Sequence, residues 1–191
     1  MWALDCAVLV VSAAEGIQPQ TEALFAALRD RPMVMFINKL DREGADPEGV
    51  LAAAKETLAD IFVDVSDADA MMEFIAERDE RALDDYLLGE IWPRERLDEE
   101  IARLAANAGA IPVVRGSALK DTGVEELLDA VVDYLPPPEE GADDRLSAVV
   151  FHIENDRAMG RAAYVRMFSG ALRTRDSLGE RKITQIRDVA L

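Results

Sequence analysis

Three continuous runs of apolar residues divide the first two-thirds of the chain, and each run ends in small or polar residues. The runs are DCAVLVV, PMVMFIN and AIPVVRG, at residues 5–11, 32–38 and 110–116. An unbroken apolar run of this length is typical of a parallel strand buried on both faces, because both sides of such a strand face the core. We therefore predict three buried parallel strands.

Segments with helical spacing of apolar residues follow these runs and cover residues 20–31, 46–62 and 123–135. Asp46 is a typical N-cap for the second segment, and Pro47 suits its first turn. Alternating strands and helices predict right-handed crossovers. The expected fold is therefore of the α/β class, with a parallel sheet and helices on both of its faces.

The segment between the second and third strands is acidic and mostly helical in pattern. Residues 60–103 hold 15 Asp or Glu and 5 Arg, a net charge of −10. We interpret this acidic insert as helices with a solvated face, and we expect Gly109 to end the last of them. The alternative is a surface that docks a basic partner.

The pattern changes after residue 135. Three short segments rich in β-branched and aromatic residues predict antiparallel hairpins; they cover residues 145–155, 160–170 and 182–189. The stretch is also basic, since residues 145–191 hold 9 Lys or Arg and 5 Asp or Glu. We therefore place one domain at residues 1–135, a linker at 136–145 and the start of a second domain at 146–191.

Composition argues against several classes of function. The net charge of −17 argues against binding of free DNA or RNA, which needs a basic face. No apolar run approaches the roughly 20 residues of a membrane span, and the N-terminus lacks a basic secretory signal. With Cys6 as its only cysteine, the chain is expected to be cytoplasmic. His152 is the only histidine, which argues against a Ser–His pair or a multi-histidine metal site. We name no catalytic residue and no metal ligand.

Polar residues follow the second strand at the point where it ends. Asn38, Lys39 and Asp41 lie at its carboxyl end, which is where open α/β sheets bind their ligands. A carboxylate such as Asp41 can accept from N1 and N2 of guanine together, a charge-assisted pair that adenine does not offer. Asn38 can donate to the acceptor edge of the base and tie neighbouring loops together, and the stem of Lys39 can cover the base.

The third strand ends in Gly116, Ser117, Ala118 and Leu119, whose backbone N–H groups can approach a base closely. Two loops that follow neighbouring strands would hold one purine from two sides. Each motif alone is also an ordinary polar turn, and only their joint placement favours a guanine site. We predict that GTP or GDP is contacted by six residues: Asn38, Lys39, Asp41, Ser117, Ala118 and Leu119.

Together, NKLD at residues 38–41 and GSAL at residues 116–119 resemble the guanine-specificity motifs of the translational GTPases. The flanking segments LDCAVLVVSAAEGIQPQTEALFAALR, FINKLDREGADPEGV and VEELLDAVVDYLPPP are similar to elongation factor G and its relatives. VVFHIENDRAMGRAAYVRMFSGALRTRDSL resembles the first strands of the β-barrel domain that follows the GTPase domain in that family. The compact insert with ALDDYLLGE is most similar to the tetracycline-resistance ribosomal protection proteins, ahead of elongation factor G and release factor 3.

This resemblance implies part of a P-loop GTPase-type sheet, a guanine nucleotide as cofactor and the ribosome as partner. The phosphate loop GxxxxGK[ST] is absent from the sequence, and the family's Asp-x-x-Gly-His switch segment would precede residue 1. We therefore expect a middle piece of a longer protein. GTP hydrolysis and Mg²⁺ binding would belong to the full-length parent, and the chain alone would bind GTP or GDP weakly or not at all and be inactive. Its strand at about residues 6–11 would then lie at an exposed edge.

Two alternatives to an enzymatic role remain open. One is a ribosome-binding module without catalysis, in which basic residues of the second domain contact ribosomal RNA: Arg157, Arg161, Arg166, Arg173 and Arg175. Arginines spaced along hairpins are, however, also typical of an ordinary solvated face. The other alternative is a folding fragment that retains no activity.

Overall fold

The computed structural model describes residues 3–138, 145–156, 160–178 and 181–187. They divide into a unit of Asp5–Pro137 and a second unit that holds the described residues of Met1–Leu4 and Pro138–Leu191. The elements of the first unit are β1 Ala7–Ser12, α1 Pro19–Leu28, β2 Met33–Asn38, α2 Pro47–Thr57, β3 Phe62–Asp64, α3 Ala68–Ala76, α4 Glu80–Leu87, α5 Arg94–Ala106, β4 Ile111–Arg115 and α6 Val124–Tyr134.

The four strands of the first unit form one parallel sheet in the order β1-β2-β4-β3. Their registers pair Val11 with Ile37 and Phe36 with Val114. The carboxyl ends of β2 and β4 therefore lie side by side, although 72 residues of sequence between Asn38 and Ile111 separate the two strands. The predicted α/β class and parallel sheet are confirmed.

Helices cover both faces of the sheet, as the sequence predicts. On one face, buried residues of α1 and α2 form a core with the strands: Phe25, Val50 and Ala54 with Leu9, Met35, Ile37 and Val113. On the other face, the core joins the strands to the insert and α6: Phe36, Val63 and Val114 with Met71, Ile75, Leu97, Ile101 and Tyr134. Met35, Ile37 and Val113 are completely buried, so these cores hold the ends of β2 and β4 rigidly.

Strand β1 differs from its prediction as a strand buried on both faces. Leu9 and Val11 are buried, but Val8 and Val10 are 42% and 56% exposed. Among the described residues, β1 pairs only with β2 and forms one edge of the sheet. Successive side chains of a strand point to opposite faces, and only the face towards α1 and α2 is covered here. The predicted edge position of this strand is found; its burial on both faces is not.

Strand β3 is absent from the predicted elements. The helix expected over residues 46–62 ends at Thr57, and Phe62 and Val63 form a short buried strand. It pairs in parallel with β4 through Phe62 and Ile111. Three residues are too few to show a hydrophobic period. The acidic insert, predicted as helical from residue 60, is helical only from α3 onward.

Helix ends follow the predicted capping chemistry with one exception. Asp46 caps α2, because its side chain accepts from the N–H of Gly49 at 2.9 Å. At the end of α5, however, the left-handed conformation falls on Ala108, with φ +54°. Gly109, expected to end this helix, donates its N–H to the carbonyl oxygen of Leu104 at 2.8 Å.

The described residues of the second unit form two antiparallel hairpins. β5 (Ser147–Asp156) pairs with β6 (Gly160–Ser169), and β7 (Ser177–Leu178) with β8 (Arg181–Lys182). The strand predicted over residues 182–189 is found only at Lys182; residues 183–187 are not a strand. Residues 188–189, and most of the predicted linker, lie outside the described residues. No described helix is both long and apolar enough to span a membrane.

Candidate functional site

The loop that follows β2 has a fixed shape. Lys39 adopts a left-handed conformation with φ +67°, so the chain turns sharply after Asn38. The N–H of Arg42 donates to the carbonyl oxygen of Lys39 at 3.1 Å and closes a turn around Asp41. The N–H of Leu40 donates to Gly116 of the other loop, also at 3.1 Å. This bond places the first loop against the second.

The loop that follows β4 is packed too tightly for any side chain at Gly116. A Cβ there would lie 2.1 Å from the carbonyl oxygen of Thr122 and 2.9 Å from Cζ of Phe36. Beyond it, Ser117 is buried, and Ala118–Lys120 form a single 3₁₀ turn. The Ser117 hydroxyl accepts from the N–H of Lys120 at 3.3 Å. Small residues in this loop therefore allow it to fold directly onto the sheet.

Two hydrogen bonds join the loops at their centre. The hydroxyl of Ser117 donates to Oδ1 of Asp41, across 76 residues of sequence. The N–H of Ala118 donates to Oδ1 of Asn38 at 2.9 Å, across 80 residues. The structure thus brings together four of the residues predicted to bind the base, at the carboxyl ends of two adjacent strands.

The backbone N–H groups of the second loop differ from their expected role. Gly116 donates its N–H to Ile37 at 2.9 Å, Ser117 to Thr122 at 2.8 Å, and Ala118 to Asn38. These groups hold the loop in shape. Leu119 is 83% exposed, so it presents an apolar surface at the site.

A cavity of about 330 Å³ lies beside Asn38 and Lys39, between the end of β1 and α1. Glu15 lines it and forms an ion pair with Nζ of Lys39 at 3.2 Å. Glu15 is not among the residues predicted from the sequence. A signal for it exists, because Glu15 follows β1, the neighbour of β2, and neighbouring parallel strands end at the same edge of the sheet.

The Asp41 carboxylate is stabilised in its charged form. The hydrogen bond from Ser117 lowers the pKa of Asp41 below its ordinary value; its backbone and the charges of Lys120 and Arg42 act in the same direction, against partial desolvation. A lowered pKa keeps the group ionised at neutral pH and into mild acid. An ionised carboxylate only accepts hydrogen bonds, which suits it to the N1 and N2 donors of guanine.

Removing the Ser117 hydroxyl raises the pKa of Asp41 towards its ordinary value. In the unaltered chain, the pKa of Asp41 is lower in the folded state than in the unfolded state. The Ser117–Asp41 bond therefore stabilises the fold at pH values above the unfolded pKa, and this stabilisation is lost as the pH falls through the folded pKa. Titration of the Asp41 carboxyl carbon by NMR in Ser117→Ala measures the shift. Ser12→Ala is the control, since the Ser12 hydroxyl has no hydrogen-bond partner in the described structure. An unchanged Asp41 titration in Ser117→Ala contradicts the prediction.

The described candidate arginines of the second unit lie on its strands and in the segment between β6 and β7. Arg161, Arg173 and Arg175 are exposed, and the guanidinium of Arg166 lies 5.8 Å from the ring centre of Phe168. Arg157 falls outside the described residues. Within the described ranges, no group of three or more His, Cys, Asp or Glu side chains is placed to bind a metal ion.

The family of the chain follows from comparison with known proteins. Residues 1–137 match the family model described as the Elongation factor Tu GTP binding domain. The chain belongs to this family. The unit with the parallel sheet is therefore a translation-factor-type GTP-binding domain, and the membership predicted from NKLD and GSAL is confirmed.

Relatives in this family include tetracycline-resistance proteins, as the motifs predict. The chain is 35% identical over 205 residues to the tetracycline resistance protein TetW of Butyrivibrio fibrisolvens, covering 96% of this chain and 32% of the relative. It is 36% identical over 200 residues to the oxytetracycline resistance protein of Streptomyces rimosus, covering 92% and 30%. The chain thus spans about a third of the length of these relatives.

A solved structure of a protein from Thermus thermophilus has the same fold over most of the chain. The match has a TM-score of 0.74 at 26% identity and covers 95% of this chain and 35% of the other. The matched part therefore includes residues of both the α/β unit and the hairpins.

Proposed function

We propose that the α/β unit recognises the guanine base of GTP or GDP with the loops that follow β2 and β4. The observation that carries this proposal is the pair of hydrogen bonds from Ser117 to Asp41 and from Ala118 to Asn38. They hold the Asp41 carboxylate in one place, at the edge where α/β sheets bind ligands, while Asp41 itself stays exposed to solvent.

Each residue of the site has a distinct role in this proposal. Asp41 accepts from N1 and N2 of the base and rejects adenine, which lacks this pair of donors. Ser117 and Asn38 position the two loops through the bonds already described. The stem of Lys39 and the exposed side chain of Leu119 cover the flat faces of the base. The ion pair with Glu15 fixes the orientation of the Lys39 side chain.

We further propose that the whole protein is a ribosome-associated GTPase of the ribosomal protection type. Support comes from the family match and from the tetracycline-resistance relatives at 35% and 36% identity. A relative of elongation factor G or of release factor 3 is the alternative. No residue of this chain is assigned to hydrolysis or to Mg²⁺, because the sequence holds no GxxxxGK[ST] loop and phosphoryl transfer depends on that loop.

Titration of the isotopically labelled chain with GDP, followed by amide NMR, tests base recognition. GDP is expected to shift the resonances of Lys39 and Leu119 with an affinity in the millimolar range, because base contacts act without a phosphate loop. ADP at the same concentrations is the control and is expected to shift neither. Equal shifts with both nucleotides, or none with GDP, would reject the proposed site.

A further inference from the structure

We propose that Arg115 is a positioning residue for the guanine-binding loops and that it acts together with Glu48 and Asp64. The inference rests on the proposed function, since it concerns how the same site is held. Arg115 is the last residue of β4 and directly precedes Gly116. Its guanidinium ties the end of this strand to two other elements, α2 and β3.

The contacts of Arg115 use both ends of its guanidinium. Nη1 donates to Oε1 of Glu48, and Nη2 lies 3.0 Å from Oε2 of the same carboxylate. Nη2 also lies 2.5 Å from Oδ2 of Asp64. The planar fork of arginine fits a carboxylate with two parallel bonds, which lysine does not reproduce. The arginine side chain is only 20% exposed, so the orientation of the fork is fixed by its surroundings.

Asp64 fixes the position of Arg115 from the neighbouring strand. It is the last residue of β3 and is nearly buried. Its Oδ1 accepts from the N–H of Ser66 at 2.9 Å and from the Ser66 hydroxyl at 2.7 Å, while Arg115 is its cationic partner at Oδ2. A buried carboxylate without a cation is strongly disfavoured. Arg115 is therefore held at this position by β3.

Glu48 carries the constraint to the first loop. It lies in the first turn of α2, which begins directly after residues 39–46, the loop with Asp41. The Glu48–Arg115 ion pair thus joins the far end of this loop to the near end of the loop with Ser117. The two loops are therefore joined at their centre by the Ser117–Asp41 hydrogen bond, and again by the Glu48–Arg115 ion pair.

The consequence for binding is pre-organisation. Loops held at both ends lose less conformational freedom when a ligand binds, so more of the contact energy appears as affinity. Arg115 is not among the residues predicted from the sequence, because its partners lie 67 and 51 residues away in the chain.

Amide hydrogen exchange of the unaltered chain, Arg115→Met and Glu48→Gln tests the positioning role. Arg115→Met keeps an apolar stem, and Glu48→Gln changes a 73% exposed side chain that tolerates substitution. The amides of Leu40 and Ala118 report on the bonds between the loops. We expect their exchange to accelerate about tenfold or more in Arg115→Met, and by a smaller factor in Glu48→Gln. The amide of Met35 in β2 is expected to keep its rate.

Arg103→Met is the matched control, because it removes an exposed ion pair with Glu100 on α5 and is expected to leave all three amides unchanged. The proposal is overturned if Glu48→Gln behaves like this control, or if Arg115→Met accelerates Met35 as much as Ala118. Should Arg115→Met not fold, Glu48→Gln decides. GDP titrations of the same variants separate the two proposals. If GDP does not bind to the unaltered chain, the proposed function is rejected. The exchange rates of the loop amides test the positioning role of Arg115 independently of that result.

Discussion

We expect Asp41→Asn to reverse the base preference that we propose for the chain, from GDP to xanthosine diphosphate. Xanthine carries a carbonyl oxygen where guanine carries its N2 amino group, so the amide nitrogen of Asn donates where the carboxylate of Asp41 accepts. A site built around such pairs discriminates strongly, because the wrong base leaves buried polar groups unpaired. We expect the ratio of the two affinities to change by about a hundredfold or more, as measured by NMR titration with each nucleotide.

Asp121→Asn is the matched control for this experiment. Asp121 lies in the second loop, directly after the 3₁₀ turn, with φ +54°. Asn tolerates this left-handed conformation well, so the same chemical change is made nearby without touching the proposed base contacts. Its GDP preference is expected to stay that of the unaltered chain. An Asp41→Asn variant that binds neither nucleotide, although the unaltered chain binds GDP, would contradict the assigned role.

Gly116→Ala destabilises the α/β unit by about 3 kcal/mol. The added Cβ meets backbone atoms, namely the carbonyl oxygen of Thr122 at 2.1 Å and Cα of Gly123 at 3.0 Å. The backbone of Thr122 and Gly123 is fixed by two hydrogen bonds between Thr122 and Ser117 and by the start of α6, so it cannot move aside as a flexible side chain would. Urea unfolding followed by circular dichroism measures the loss as a lowered midpoint at an unchanged slope.

Gly44→Ala separates this crowding from ordinary glycine effects. Gly44 has φ +78° and no atom within 4 Å of an added Cβ, so it suffers only the backbone penalty of about 1 kcal/mol. If Gly116→Ala lowers the free energy of unfolding no more than Gly44→Ala does, the close approach of Gly116 to Thr122 and Gly123 does not control stability.

The parts of the fold that depend on local sequence were predictable. Strand β2 is an unbroken apolar run buried on both faces, and its sequence shows this directly. Asp46 caps α2 through its own short side chain, which needs no distant partner. The placement of NKLD and GSAL after two buried strands likewise requires only the rule that parallel strands end at one edge.

The remaining features depend on partners far along the chain. The side chains of Val8 and Val10 are exposed because nothing in the described structure covers that face of β1, and an apolar run alone does not reveal this. Strand β3 exists because β4 supplies its only described neighbour. At the site, the N–H of Ala118 donates to the side chain of Asn38. The choice of this acceptor depends on the register of β2 and β4, which no local sequence pattern specifies.

The position of β4 in the sheet has a consequence for synthesis of the chain. It is the last of the four strands to be translated, yet it occupies an interior place, between β2 and β3. As the polypeptide leaves the ribosomal tunnel, β3 has no strand to pair with until residues 111–115 emerge. One edge of β2 also remains unpaired until the same segment is available. Contacts of such large sequence separation form slowly. The sheet is therefore completed by insertion of β4 between β2 and β3, after the acidic helices have been translated.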